Sequence, residues 1–88
     1  MPFVYMIKNL RGCLYIGIAQ NPKQRLRHHN TQHGALFTKS SNSFAIVFQE
    51  KYESLSDARK REIQIKKWRR QKKEKLIEKF QKGLSTKF

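Results

Sequence analysis

Tyr15, Arg25 and His29 fall within one stretch, Leu14 to His29 (LYIGIAQNPKQRLRHH), and their side chains suit the handling of a phosphate. A phenol donates or accepts a hydrogen bond, a guanidinium clamps oxyanions, and an imidazole exchanges a proton near neutral pH. The first half of the stretch alternates like a strand, with Leu14, Ile16 and Ile18 facing one way and Tyr15 and Gly17 the other. Gly17 removes a side chain where a ligand could come close. The second half opens a helix, with Asn21 as N-cap and Pro22 at the first helical position. Arg25 and His29 are four residues apart on that helix, so they share a face.

A fourth chemical group lies far along the chain. Glu62 follows Ala58 by four residues and precedes Ile65 by three, which puts it on the inward face of its helix. A carboxylate there is costly unless it is paired or binds a cation. A salt bridge to Arg25, Arg59 or Lys66 is the structural explanation; a metal ligand or an acid/base group is the functional one.

The elements that must position these groups are read from periodicity and turn signals. Phe3 to Ile7 (FVYMI) is a continuous apolar run and reads as a central strand buried on both faces. Residues 8–12 form a turn, so Phe3–Ile7 and Leu14–Ile18 make a hairpin. Helix 1 spans about Pro22 to Asn30 with Leu26 toward the sheet. Thr31 to Ser43 reads as a loop, and Phe44 to Phe48 as a third strand with a more polar tail through Tyr52. A helix over Asp57 to Arg69 is capped by Ser54 or Ser56, with Ala58, Ile65 and Trp68 inward. A last helix over Gln71 to Lys82 carries the stripe Leu76, Ile77 and Phe80. The fold class is therefore α/β of the α+β type, a small three-stranded antiparallel sheet flanked by helices. Residues 1–82 form one domain and 83–88 a tail expected to fray.

The chain has 88 residues, with 20 Lys and Arg against 6 Asp and Glu, a formal charge of +14. That imbalance favours polyanionic partners. It is uneven: residues 59–82 hold twelve Lys and Arg with three Glu, whereas the first 58 hold seven with three acids. The run containing Lys66, Lys67, Arg69, Arg70, Lys72 and Lys73 is the expected nucleic-acid surface. If it neutralises six or more phosphates, affinity falls ~10³-fold between about 50 and 200 mM salt. Phosphate contacts carry no sequence information, so binding by this surface is of low specificity. The single cysteine, Cys13, excludes an intrachain disulfide and a cysteine metal site, and is expected to pack as a small hydrophobe. No apolar run is long enough to span a membrane and no signal peptide is visible, which makes the cytoplasm the expected compartment.

The ordered set of these residues resembles the GIY-YIG nuclease domain. Val4-Tyr5-Met6 stands at the first motif and Tyr15-Ile16-Gly17 is the second motif intact. Arg25 with His29 is similar to the family's helix 1 signature, and Glu62 in ARKREIQIKKW to its metal-binding glutamate. The match runs from about Phe3 to Ile77 and is nearest to the small stand-alone UPF0213 group, with a relation to the nuclease module of the UvrC repair protein. The resemblance implies phosphodiester cleavage in DNA, in repair or recombination, with one Mg²⁺ or Mn²⁺ held by Glu62 and a tyrosine near the attacking water. In that scheme Tyr5, Tyr15, Arg25 and His29 are catalytic: Tyr5 is favoured as base and Tyr15 as its orienting partner, with the reverse assignment open. Three positions depart from the family pattern. Val4 replaces a glycine, Ala19 stands where many relatives have threonine, and no asparagine follows Asn42. The alternative reading is a basic nucleic-acid-binding module with little or no cleavage.

Overall fold

The computed structural model describes residues 1–32 and 43–87, so most of the expected Thr31–Ser43 loop, including His33 and Gly34, lies outside the described residues. The elements are β1 (Phe3–Lys8), β2 (Leu14–Ala19), α1 (Pro22–Gln32), β3 (Ala45–Lys51), α2 (Leu55–Lys66) and α3 (Arg70–Gln81). The sheet is antiparallel with strand order β2-β1-β3, which puts the apolar run of β1 at the centre as its composition requires.

The chain turns between β1 and β2 at Gly12, whose φ of 87° is a left-handed conformation that glycine adopts without strain. Buried Asn9 closes that turn: its side-chain oxygen accepts from the Cys13 amide at 2.9 Å. Cys13 itself is exposed, so the packing expected of it is corrected. It precedes the first strand residue and points away from both cores.

Alternation divides the sheet into two faces. Val4, Met6 and Phe48, with Leu14, Ile16 and Ile18, pack against Ala58 and Ile65 of α2 and Leu76 and Ile77 of α3. Tyr5, Ile7 and Phe44, with Ala19 and Ile46, pack under Leu26 of α1. The pairing shifts between Met6 and Ile7, opposite Phe48 and Ile46, so Val47 is the extra residue of a bulge.

Helix starts follow their caps. Asn21 Oδ1 accepts from the Gln24 amide at 3.2 Å, and Ser54 Oγ accepts from the Asp57 amide at 3.1 Å. Helix α2 stops at Lys66, earlier than the expected Arg69, and Trp68 lies in the bend before α3 rather than on the helix. The N-terminus of α3 is fastened to the hairpin by Arg70, which donates to the Gly12 carbonyl at 2.6 Å and to Glu74 at 2.8 Å, while Lys8 reaches Glu74 at 3.0 Å.

One residue of the C-terminal tail, Thr86, contacts the body of the domain. Thr86 donates to Glu50 at 2.6 Å and its carbonyl accepts from Arg61 at 2.8 Å. Arg61, with its side chain only 9% exposed, also donates to Glu50 at 3.0 Å and to Gln64 at 2.8 Å, and Tyr52 donates to Glu50 at 2.9 Å. Each polar group in this cluster is thereby paired, as burial demands.

Candidate active site

The site lies on the α1 face. Tyr5 is 7% exposed and pairs across the hairpin with Gly17. A Cβ added at Gly17 would sit 2.8 Å from the Tyr5 hydroxyl oxygen. The bare position in β2 therefore seats the Tyr5 ring, and the sequence expectation of an open approach for a ligand there is corrected.

Tyr15 is 47% exposed and points to the same face two residues along β2. Its ring meets His29 of α1 at 4.7 Å between centroids, edge to face, and Phe44 at 5.4 Å. His29 meets Phe44 at 4.5 Å, so three rings form one cluster with the His29 Nε2 buried within it. Asn30 holds this cluster in place. Its side chain accepts from the Phe44 amide at 2.8 Å and donates to the Phe44 carbonyl at 3.2 Å, a two-point clamp from α1 onto the entry to β3.

Arg25 is exposed on α1, as its four-residue spacing from His29 requires. Glu62 comes from α2, in the layer on the opposite side of the sheet, beside the edge strand β2. Both charges nevertheless act on Tyr5. Burial pushes the Tyr5 phenol above its ordinary range, the Arg25 guanidinium pulls it back, and the Glu62 carboxylate pushes it further up. The Tyr5 phenol thus lies within the field of a cation from α1 and a carboxylate from α2. The Glu62 side chain is 16% exposed, and its carboxylate pairs with Lys66 at 3.1 Å. Of the structural partners expected for it, Lys66 is the one realised.

A shallow hollow of about 390 Å³ opens beside Arg25, lined also by Ala19, Gln20, Asn21, Gln24 and His28. Its polar groups are donors or amphoteric and none is acidic, which suits an anion. Among the described residues no three of His, Cys, Asp or Glu cluster, so a metal here would rest on Glu62 alone.

The basic run does not form one surface. Lys66 is held on Glu62, Arg70 on Glu74 and Gly12, and Lys72 over the Trp68 ring, so at least three of its six members make internal contacts. Lys73 is half-buried, whereas Lys67, Arg69 and Lys72 border a groove at the α2–α3 bend.

Three contributors escaped sequence reading. Phe44 read only as the start of a strand, Asn30 as the end of a helix, and Arg61 as one more cation. A polar residue directly after His29 and an aromatic beginning β3 were the available signals for the first two. Arg61 offered one as well, since it lies three residues after Ala58 and four before Ile65, on the inward face.

The family profile described as the GIY-YIG catalytic domain matches residues 1–75. UPF0213 proteins of Staphylococcus aureus strains Mu3 and Mu50 are each 45% identical over 75 residues, covering 85% of this chain and 92% of theirs. The solution NMR structure of the UPF0213 protein BH0048 from Bacillus halodurans superposes with a TM-score of 0.57 at 28% identity, over 89% of this chain and 84% of that one. No helix among the described residues is long and apolar enough to cross a membrane. With the motif residues, the three-stranded sheet and these relatives in agreement, the chain belongs to the GIY-YIG family of nuclease domains, in its UPF0213 group.

Proposed function

We propose that this chain is a metal-dependent endonuclease that hydrolyses phosphodiester bonds in DNA. The observation that carries the reading is the convergence on Tyr5 of a cation from α1 and a carboxylate from α2, on a face that also presents Tyr15 and His29.

Glu62 would hold the metal. A single carboxylate suits Mg²⁺ or Mn²⁺, which keep several waters and take phosphate oxygens from the substrate. The competing Lys66 ammonium is on a side chain 53% exposed, so it can swing into water at little cost. When bound, the metal supplies charge neutralisation at the scissile phosphate and at the leaving oxygen. Arg25, exposed at the rim of the hollow, binds a non-bridging phosphate oxygen and offsets charge that builds in the transition state.

The roles of the two tyrosines follow from their surroundings. An unperturbed phenol with pKa ~10 is only about 0.1% ionised at pH 7, and burial of Tyr5 makes that fraction smaller still. In the metal-free protein Tyr5 is therefore a neutral group that orients water by hydrogen bonding. Tyr15, more open, is the better relay: its oxygen takes the proton that water gives up as its own hydroxyl proton passes to solvent. This reverses the assignment favoured from sequence. Repair or recombination is the cellular setting that the family resemblance raises.

A second reading is a nucleic-acid-binding module without cleavage, and the Glu62–Lys66 pair favours it, because a carboxylate satisfied internally needs no metal. Plasmid and single-stranded DNA incubated with Mg²⁺ or Mn²⁺ separate the two. Wild type should nick both and Glu62→Ala neither. Equal products from the two proteins would remove the enzyme reading.

A further inference from the structure

The two flanks of α2 have different surroundings. One flank carries Glu62, paired with Lys66, whose charge acts on Tyr5. The other carries Arg61, whose guanidinium carbon lies 5.3 Å from the centre of the Trp68 ring. Beyond the helix end, the Lys72 ammonium lies 4.3 Å from that same centre. Around Trp68 opens a groove of about 460 Å³ lined by Lys67, Trp68, Arg69, Gln71, Lys72 and Lys75. It shares no residue with the hollow beside Arg25.

Four cations and no carboxylate line this groove. Their neighbours Lys8, Lys66 and Arg70 are each drawn onto a glutamate, but Lys67, Arg69 and Lys75 form no ion pair among the described residues. Helix α3 also begins here. Its N-cap, Arg69, gives no side-chain cap, and its first turn has no acid, so the positive end of the helix dipole adds to the same field. An aromatic face set among cations is the combination that holds single-stranded nucleic acid, with phosphates on the cations and a base against the ring.

We infer that the α2–α3 groove is a second nucleic-acid site, which holds a single-stranded segment separate from the strand at Tyr5, with its phosphates on Lys67, Arg69 and Lys75 and a base at Trp68. The inference takes from the proposed function only the ligand class, and it holds whether or not the chain cleaves.

Trp68 is the only tryptophan, so its fluorescence reports on this groove and not on the hollow. The full chain is titrated with oligothymidylate of about ten nucleotides in metal-free, low-salt buffer. Saturable quenching is expected, and it should persist in Arg25→Ala/Glu62→Gln. In Lys67→Glu/Arg69→Glu the quenching midpoint should rise about tenfold, and the slope of log affinity against log salt should flatten by about two. Far-ultraviolet circular dichroism checks that each variant is folded, and Lys67→Gln/Lys75→Gln, expected to weaken binding about tenfold as well, serves if the charge reversal does not fold. The inference is overturned if anisotropy of a labelled oligonucleotide shows binding with no change at Trp68. Quenching lost in Arg25→Ala/Glu62→Gln but kept in the groove variants also overturns it, as does duplex of equal length that quenches as well as the single strand. A failed cleavage assay leaves all of these readouts standing, so the two proposals fail separately.

Discussion

Val4, Met6 and Phe48 are sealed from solvent by two helices on one face of the sheet, whereas Tyr5, Ile7 and Phe44 on the other lie under α1 alone. The contrast follows from composition. Helices α2 and α3 bring Ala58, Ile65, Leu76 and Ile77 to the first face, while α1 brings Leu26 to the second and otherwise presents Arg25, His28, His29 and Asn30. The first face supplies most of the apolar burial, at roughly 25 cal/mol per Å². The second leaves polar groups half-open to solvent, where a substrate can reach them.

Mutations test that division, and the largest effect is expected on the two-helix face. Phe48→Ala empties the centre of the larger core, and should cost about 3–5 kcal/mol in urea unfolding, enough to remove most of the stability of a domain this size. Any loss of activity should then track unfolding.

Arg61→Met should come next, at about 3 kcal/mol, because Glu50 is left partly buried without its cation and Thr86 keeps only one of its two anchors. The tail should become accessible to carboxypeptidase in that variant, while Tyr15→Phe should leave it protected.

Gly17→Ala acts at the other face. The new methyl group collides with the Tyr5 hydroxyl, and displacing that ring should cost about 1–3 kcal/mol while cutting turnover far more than the stability loss explains. A cleavage rate equal to wild type in this variant would show that the position of Tyr5 is irrelevant to the chemistry.

The smallest effect is in alkali. Burial, with the Glu50 hydrogen bond and charge, lifts the Tyr52 phenol to about 12. The folded state then keeps a proton that the unfolded chain releases near pH 10. The stability so gained is complete below pH 10 and is lost as pH climbs from 10 toward 12. Thermal melts should show that decline in wild type and a flatter one in Tyr52→Phe.

Much of this was readable in the residues. Alternation in Leu14–Ile18 assigned the two faces of β2 correctly, and the apolar run at β1 identified the central strand. Asn21 and Ser54 marked the helix starts. What could not be read were contacts between distant segments. Arg61 is buried because Glu50, Gln64 and Thr86 gather around it, and only Gln64 is near it in sequence. The basic run looks uniform in one dimension, yet a bend after Lys66 sends its members in different directions. Gly17 carried the right signal, a close approach, but not the identity of the approaching group.

Strand β1 contributes alternate residues to both faces, Val4 and Met6 to one and Tyr5 and Ile7 to the other. Slipping it by a single position would drive the Tyr5 hydroxyl into the larger core and turn a methionine thioether toward the α1 face. A misaligned molecule would therefore lose its reactive surface and its cohesion together. One pairing register thus sets both the packing of the core and the placement of Tyr5.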